Sequence, residues 1–510
     1  MTEDSYVGAI DQGTTGTRFV LFDRAGRIVS TAYQRHEQRY PEPGWVEHDL
    51  REIRENATAV VEAALAEAGV GGDALAAIGI ANQRETTALW DRETGEPVAD
   101  AIVWQDRRTT ARIEELEEAG LAGTIRSKTG LEPDAYFSAS KLEWLLEHGD
   151  PIRTDRGETS SLRERAAAGE LAFGTIDSWL IHSLTGEHVT DVTNASRTML
   201  YDIHAGEWDE ELLELFGVPR ACLPEVRPSI DEREYGRTDP DGFLGAAVPV
   251  AAALGDQQAA LFGQGCFDPG EAKNTYGTGS FLLLNTGTDP VDGDGLLTTV
   301  AYGRTGDPLR YALEGSIFVT GAAIEWLADV GLIGEPAETE RLARRVESTD
   351  GVYLVPAFAG LGAPHWDGRA RGTIVGMSRG TRREHLVRAA LESIAYRTRD
   401  VVEAMEVATD LEIRSLNVDG GAVKNDFLCQ LQADLVGSRI VRPVVDETTA
   451  LGAAYAAGLA VGYWTDLEEL RANRRIDRTF EPELATAEAD RRYSRWVDAV
   501  ERARDWARDR

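Results

Sequence analysis

Cysteine is scarce in this 510-residue chain: Cys222, Cys266 and Cys429 stand far apart, odd in number and in no Cys-x-x-Cys pair. Such spacing excludes a disulfide framework and a thiolate zinc site. Lysine occurs only at Lys128, Lys141, Lys273 and Lys424, and 87 Asp and Glu against 53 Lys and Arg leave a formal net charge of -34. Nucleic acid and anionic membranes both need basic protein surface, so neither is expected as a partner. Any phosphate ligand must then be met by local cations. The acid excess is spread along the chain, and its self-repulsion, which salt relieves, points to a halophilic protein from a high-salt cell. Long apolar runs are also missing. The uncharged window 242–255 is too short and too rich in Gly and Pro to span a bilayer. Met1-Thr2-Glu3-Asp4 lacks the basic and apolar parts of a signal peptide, so the expected location is cytoplasmic. The 8 histidines are scattered, with no spacing for a transition metal.

Against this background one stretch stands out, Gly8-Ala9-Ile10-Asp11-Gln12-Gly13-Thr14-Thr15-Gly16-Thr17-Arg18, followed by Phe19-Val20-Leu21-Phe22. It predicts a strand, a tight polar turn and a second strand, with Gly13 and Gly16 permitting the turn. The hydroxyls and backbone N–H groups of such a turn suit phosphate oxygens, and Asp11 at the strand end can face a divalent cation. A plain Thr-rich hairpin fits the same residues. The pattern returns at Ala272-Lys273-Asn274-Thr275-Tyr276-Gly277-Thr278-Gly279-Ser280 before Phe281-Leu282-Leu283-Leu284. Two such hairpins predict a duplicated domain with a cleft between the copies and a boundary near residues 255–270.

Between the hairpins strands and helices alternate, which predicts layered α/β domains. A turn at residues 23–26 leads into a strand over 27–33. Asp49 and Glu52 read as a capping box for a helix striped by Leu50, Ile53, Ala57, Val61, Ala64, Leu65 and Ala68 and stopped by Gly69. Residues 76–81 form a strand whose exit, Asn82-Gln83-Arg84-Glu85-Thr86-Thr87, places polar groups where α/β ligand sites collect. Arg84 and Glu85 can reach one ligand only if the backbone turns there; a solvated ion pair is the alternative. Trp104 suits a core, a helix begins after Tyr136, and residues 149–170 read as a surface insertion. Residues 248–255 are a buried strand ending on Asp256-Gln257-Gln258. That carboxylate either takes part in chemistry or caps the helix at 259–264, and the residues alone leave both open.

Further on, residues 315–329 predict a strand end running into a helix, and 352–358 a strand. Thr381 and Glu384 read as a capping box for a long helix with Leu386, Ala390, Ile394, Val401 and Met405 on its stripe. Residues 416–425 predict a strand, a glycine turn bare enough for close approach by a flat ligand such as adenine, and a helix start. Helices over 449–461 and 487–508 close the chain. No Gly-x-x-x-x-Gly-Lys-Ser/Thr loop and no His-Arg-Asp with Asp-Phe-Gly set occurs. What remains is two hairpins for phosphates, an acid for a metal and an acid beyond a buried strand. Phosphoryl transfer needs little more than positioning, charge neutralisation and a base.

Residues 8–15, 82–87, 102–108, 255–263 and 419–422, in that order and across nearly the whole chain, resemble the FGGY family of carbohydrate kinases, and within it the members that phosphorylate glycerol. The resemblance implies an α/β protein of two actin/hexokinase/Hsp70-like (ribonuclease H-like) domains facing an interdomain cleft. Residues 1–258 would form the glycerol and phosphate side and 259–510 the nucleotide side. The implied reaction is ATP-dependent phosphorylation of glycerol to sn-glycerol 3-phosphate, the first step of glycerol catabolism, with ATP and Mg2+ as cofactors. By position, Arg84, Glu85, Tyr136, Asp256 and Gln257 would hydrogen-bond glycerol, and Trp104 and Phe281 would pack on its carbons. Asp256 would be the general base and Asp11 a magnesium ligand. Thr14, Thr15, Gly16 and Arg18 would meet the phosphates, while Thr278, Gly321, Glu325, Gly421 and Asn425 would line the ATP site. A homo-oligomer, dimer or tetramer, is also implied.

The chain departs from the family pattern twice. Glu325 stands where a Gln is usual, which puts its nucleotide contact in doubt. Residues 237–245 lack the Arg expected after the glycines of a fructose 1,6-bisphosphate loop and add Asp239 and Asp241, so weak or absent inhibition is expected. Two other readings compete: a kinase for another polyol or ketose such as xylulose or ribulose, and a non-metabolic actin-like or chaperone-like ATPase. The second leaves the Arg84-Glu85 corner, Trp104 and Asp256 unexplained. Against the first, Arg84 and Glu85 with Trp104 favour a short triol.

Overall fold

The Thr-rich turn near the N-terminus joins two strands, β1 (Tyr6–Gln12) and β2 (Gly16–Phe22), paired antiparallel so that Asp11 sits opposite Arg18. This is a computed structural model, which describes residues 5–149, 152–153 and 159–507. Contacts divide the chain into two compact units. The first holds the chain up to Gly265 together with Thr298–Tyr311 and Thr448–Arg474; the second holds Cys266–Leu297, Ala312–Glu447 and the chain from Arg475. A single division at 258/259 does not contain these returns.

In the first unit β3 (Ile28–Arg35) extends the meander, and β4 (Leu75–Asn82), β5 (Gly236–Arg237) and β6 (Pro249–Gly255) complete a six-stranded sheet in the order β5-β6-β4-β1-β2-β3. Strands β1, β4 and β6 run parallel, in the register Gln12 to Asn82 to Gly255, so their carboxyl ends share one edge. Alternating apolar residues put Ile10, Phe19, Leu21, Ile78, Ile80 and Val250 in the core. Helix Leu50–Ala68 buries Leu50, Ile53, Ala57, Val60, Val61, Ala64 and Leu65 against them, each large side chain contributing about 1.5–3 kcal/mol. Asp49 caps that helix by accepting from the Arg51 N–H, and Gly69 ends it at φ 70°. The expected capping box is half formed, because Glu52 accepts instead from the Glu37 N–H at 3.1 Å.

Helix Thr448–Ala460 belongs to this first unit and is buried nearly all round by small residues. A Cβ on Gly452 would stand 1.8 Å from the Ala259 carbonyl oxygen, and one on Gly79 would stand 2.0 Å from that of Ala453. Only glycine allows backbones this close.

The second unit repeats the plan. Strands β7 (Ala272–Tyr276), β8 (Ser280–Gly287), β9 (Arg310–Ile317), β10 (Ser415–Gly420), β11 (Arg439–Pro443) and β12 (Ile476–Phe480) follow the order β12-β11-β10-β7-β8-β9. These six, of seven strands in the sheet, repeat the order of the first sheet, including the parallel trio β7, β10 and β11 beside an antiparallel hairpin. The duplication expected from the two hairpins is therefore present in the topology.

Four local expectations shift. The strand expected at 352–358 is confined to Tyr353–Val355. The long helix starts at Arg383 rather than after Thr381, and the Arg382 N–H is met by Nδ1 of His385 at 3.0 Å in place of a Thr381–Glu384 box. The closing helix runs Thr486–Ala503, with 508 outside the described residues. Of the insertion at 149–170, residues 150–151 and 154–158 lie outside the described residues, and the rest includes the short helix Leu162–Ala167.

Candidate active site

The edge where β1, β4 and β6 end carries the acids and bases of the first unit. Asp11 is next to last in β1 and Asp256 follows β6 directly, and β4 lies between them. Two interstrand spacings, about 10 Å sideways, therefore separate the strands that carry the two carboxylates. Beyond β4 the chain turns sharply, with Glu85 at φ 62°. That positive φ is the break in strand geometry that Arg84 and Glu85 require to face one side, and a non-glycine residue is held there only by its surroundings. Those surroundings are specific: the Glu85 carbonyl accepts from the Ser138 hydroxyl at 3.0 Å and the Thr87 hydroxyl at 3.2 Å.

Arg84 and Glu85 are both buried, so they do not form a solvated pair. Nε of Arg84 lies 3.7 Å from Oε1 of Glu85 and 3.2 Å from Oδ1 of Asp256. A second arginine, Arg197, donates from Nε to Glu85 Oε1 at 2.7 Å. Arg84 also donates from its terminal nitrogen to Oε1 of Gln258 at 3.2 Å. A Cβ on Gly255 would stand 2.6 Å from Cδ of Arg84, so glycine at the end of β6 makes room for that arginine.

Asp256 begins helix Asp256–Gly263 but does not cap it; the cap position is Gly255, with no side-chain cap bond. Oδ1 of Asp256 accepts from the adjacent Gln257 N–H at 2.7 Å and Oδ2 accepts from Gln257 Nε2 at 3.1 Å. With the side chain 30 % exposed, the carboxylate keeps access to a ligand.

Trp104 is half-buried rather than core. Its Nε1–H donates to the Thr14 hydroxyl at 3.0 Å, and its ring meets that of Tyr136 edge-on at 5.4 Å. Tyr136 sits on a loop held by Lys141, whose buried Nζ donates to the carbonyls of Ala135, Tyr136 at 2.6 Å and Phe137 at 2.9 Å. Burial pushes the Lys141 ammonium down to about 7, against the pull of Glu85 and Asp134.

The β1–β2 turn closes with the Gly13 N–H donating to the Gly16 carbonyl at 2.9 Å. Gln38 braces it by donating to the Thr14 carbonyl at 2.8 Å. Behind Gln38, His48 lies between Gln38 Oε1 at 2.8 Å and Gln83 Nε2 at 3.2 Å, and burial holds its pKa down to about 3. Neutral His48 therefore accepts from Gln83 and donates to Gln38. Thr15 is exposed, and Arg18 lies over the Tyr33 ring at 5.5 Å. Asp11 is half-buried and offers a hard oxygen beside the turn, which fits Mg2+, an ion that takes one or two carboxylates and keeps water and phosphate oxygens. Among the described residues no cage of three or more His, Cys, Asp or Glu forms.

The second unit holds the other expected residues. The N-terminus of helix Gly321–Asp329 packs on the β7–β8 turn, with the Gly321 N–H donating to the Gly277 carbonyl at 3.0 Å and the Thr320 N–H to that of Thr278 at 2.8 Å. Thr278 is exposed, Phe281 half-buried on β8 opposite Thr275, and Glu325 exposed one turn into the helix. Gly421 is exposed after β10, with open space where a Cβ would be. Asn425 is committed structurally: its Oδ1 caps helix Asp426–Val436 through the Leu428 N–H at 3.0 Å, and its Nδ2 donates to Thr339 at 3.2 Å.

Sequence reasoning assigned no role to Arg197, Gln258 or Lys141. All three are buried polar side chains, and only their burial, which pattern alone does not give for single polar residues, marks them.

The FGGY family of carbohydrate kinases matches this chain with its N-terminal domain over residues 6–263 and its C-terminal domain over 272–461. A glycerol kinase of Haloferax volcanii is 67% identical over 510 residues, covering 100% of both chains. Glycerol kinase 2 of Thermotoga maritima is 54% identical, covering 98% of this chain and 99% of its own. Among solved structures, Plasmodium falciparum glycerol kinase with ADP superposes with TM-score 0.90 at 37% identity, covering 98% of each chain. A xylulose kinase from Lactobacillus acidophilus, at 22% identity and TM-score 0.85 over 98% of this chain and 97% of its own, shares the fold.

Proposed function

The chain belongs to the FGGY family of carbohydrate kinases, and from that premise we propose that it transfers the terminal phosphoryl group of ATP to a primary hydroxyl of glycerol, giving sn-glycerol 3-phosphate for glycerol catabolism. The observation that carries the reading is Asp256: a carboxylate at the end of a buried parallel strand, free of any helix-capping duty and 3.2 Å from Arg84. A general base must reach the proton it removes, and a part-exposed carboxylate beside a buried arginine meets that need.

In this mechanism Glu85 accepts from one glycerol hydroxyl, and Arg84 and Gln257 donate to others. Trp104 covers the carbon chain on the first unit, and Tyr136 adds a phenol. The terminal hydroxyl attacks the γ-phosphorus as Asp256 takes its proton, and the bond to the bridging oxygen of ADP breaks. Thr14, Thr15, Gly16 and Arg18 hold phosphate oxygens; Asp11 would hold Mg2+, which would supply neutralising charge. On the second unit, the Thr278 turn, Gly321, Phe281 and Gly421 contribute nucleotide and acceptor contacts. Asn425 does so through its backbone and helix start, because its side chain caps. Exposed Glu325 contributes no phosphate contact, since two anions would repel.

Exposed Asp239 and Asp241 in the 237–245 loop leave fructose 1,6-bisphosphate a poor inhibitor. The setting is the cytoplasm of a high-salt cell. The test is ATP consumption in molar KCl with Mg2+, comparing glycerol, dihydroxyacetone, xylulose, ribulose, gluconate and no acceptor. Glycerol is expected to give the highest kcat/KM; preference for a ketopentose or gluconate, or turnover without acceptor, overturns the proposal.

A further inference from the structure

Behind the Arg84–Glu85 corner runs a segment that has no part in the mechanism above. Asp191, buried, caps the short helix Val192–Ala195 by accepting from the N–H groups of Thr193 at 2.9 Å and Asn194 at 2.8 Å. It also accepts from the Thr193 hydroxyl, the Asn194 amide and the Ser229 hydroxyl at 2.9, 2.9 and 2.6 Å. A buried network so fully satisfied stiffens the turn.

From it three side chains reach the walls of the acceptor site. The Thr193 hydroxyl accepts from the Gly255 N–H at 2.9 Å, one residue before Asp256. Asn194 and Asn82 exchange amide bonds at 2.9 and 3.0 Å, two residues before Arg84. Arg197 donates to Glu85 at 2.7 Å, and its guanidinium carbon lies 5.9 Å from the Tyr136 ring centre and 5.2 Å from that of Phe137.

We propose that the segment Asp191–Arg197 is a positioning element for the acceptor site, in which Arg197 aligns Glu85 and Tyr136 while Thr193 fixes the strand end that presents Asp256. The proposal rests on the acceptor roles given above to Glu85, Tyr136 and Asp256. Arg197 acts through its neighbours and touches no substrate. Its effect is confined to acceptor binding, because both side chains it aligns are acceptor contacts. Thr193 instead governs the rate, through the placement of the base.

The test is steady-state kinetics of the full chain in molar KCl, after thermal melts establish that each variant folds. Arg197→Met is expected to raise the glycerol KM about 10²-fold, the scale of loss from a misplacement of about 1 Å, with the KM for ATP unchanged. Arg197→Lys restores part of the loss, a cation without the planar fork. In a Glu85→Gln background Arg197→Met adds little, because the two residues are coupled. A KM for ATP that rises in step, or an equal effect of Arg197→Met with and without Glu85→Gln, overturns the claim for Arg197. Thr193→Val, which removes no buried charge, is expected to lower kcat about tenfold or more while the glycerol KM holds; an unchanged kcat overturns the claim for Thr193. If the wild-type enzyme does not use glycerol, the functional reading alone falls, and the same variants are read on the acceptor it does phosphorylate.

Discussion

Nε of Arg84 stands 3.2 Å from Oδ1 of Asp256, joining a residue of the β4 exit to the first residue beyond β6. The pairing orients the Asp256 carboxylate at a site where a cap was the competing explanation. Asp256→Asn keeps the shape and one of the two bonds accepted from Gln257 but cannot take a proton. It is expected to lower kcat by about 10²–10⁴, the usual scale for general acid–base catalysis, with the glycerol KM nearly unchanged. Rapid-quench or coupled-assay rates check it; a near-normal rate removes Asp256 from the chemistry.

Gln258 supports the same arginine from behind, accepting from Arg84 while its Nε2 donates to Thr299 at 3.2 Å and the Val300 carbonyl at 3.3 Å. Gln258→Leu strands a buried guanidinium N–H, at about 1–3 kcal/mol. The glycerol KM should rise about tenfold or more, since 1.4 kcal/mol is tenfold, and Gln258→Glu, which keeps the acceptor, should do less harm. Isothermal titration with glycerol measures the difference directly.

Much of this site was legible in the chain. Gly13 and Gly16 between two apolar strands announce the tight β1–β2 turn, and the repeat at 272–280 announces the duplicated topology. The corner at Arg84-Glu85 was legible only as a condition, met by the positive φ of Glu85. Arg197 and Gln258 were illegible because they lie far in sequence from the residues they orient. The Asp49–Glu52 and Thr381–Glu384 boxes misled although their spacing is right: the fold brings the Glu37 N–H onto Glu52, and the second helix begins one residue later than expected, with Arg382 as its cap and His385 meeting the cap N–H.

Asp177 accepts from the Thr175 and Thr190 hydroxyls, and burial, with Asp191 adding repulsion, pushes its pKa up to about 7. The folded state thus holds a proton that the unfolded chain has released above about pH 4. Its stabilising contribution is complete below that point and is lost as pH rises through 7. Asp177→Asn should remove this slope, so the variant should gain on wild type by up to about 1.4 kcal/mol per pH unit between pH 4 and 7. Denaturant unfolding in molar KCl across that range checks the sign.

Acid excess of -34 over the whole chain predicts a salt requirement for the fold itself. The unfolding midpoint should rise between dilute buffer and molar KCl as self-repulsion is screened. A midpoint that is flat or falling rejects the high-salt reading.

Gly452→Ala tests the close approach of helix Thr448–Ala460. Alanine favours helix by about 1 kcal/mol, but here its Cβ would fall 1.8 Å from the Ala259 oxygen. Net destabilisation of about 1–3 kcal/mol or more is expected, seen as a lowered melting temperature.

That helix also sets a schedule for biosynthesis. It packs on the first unit, although the chain reaches it only at Thr448, long after β6 ends at Gly255. At about 5–20 residues per second, a ribosome needs on the order of ten to forty seconds to travel from one to the other. Through that interval the finished sheet lacks the segment that seals Gly79 and Gly263, and its apolar side is open to chaperones or to other nascent chains. The first unit is thus the first begun and among the last completed, and a truncated chain ending before Thr448 should be recovered as aggregate rather than as a folded half.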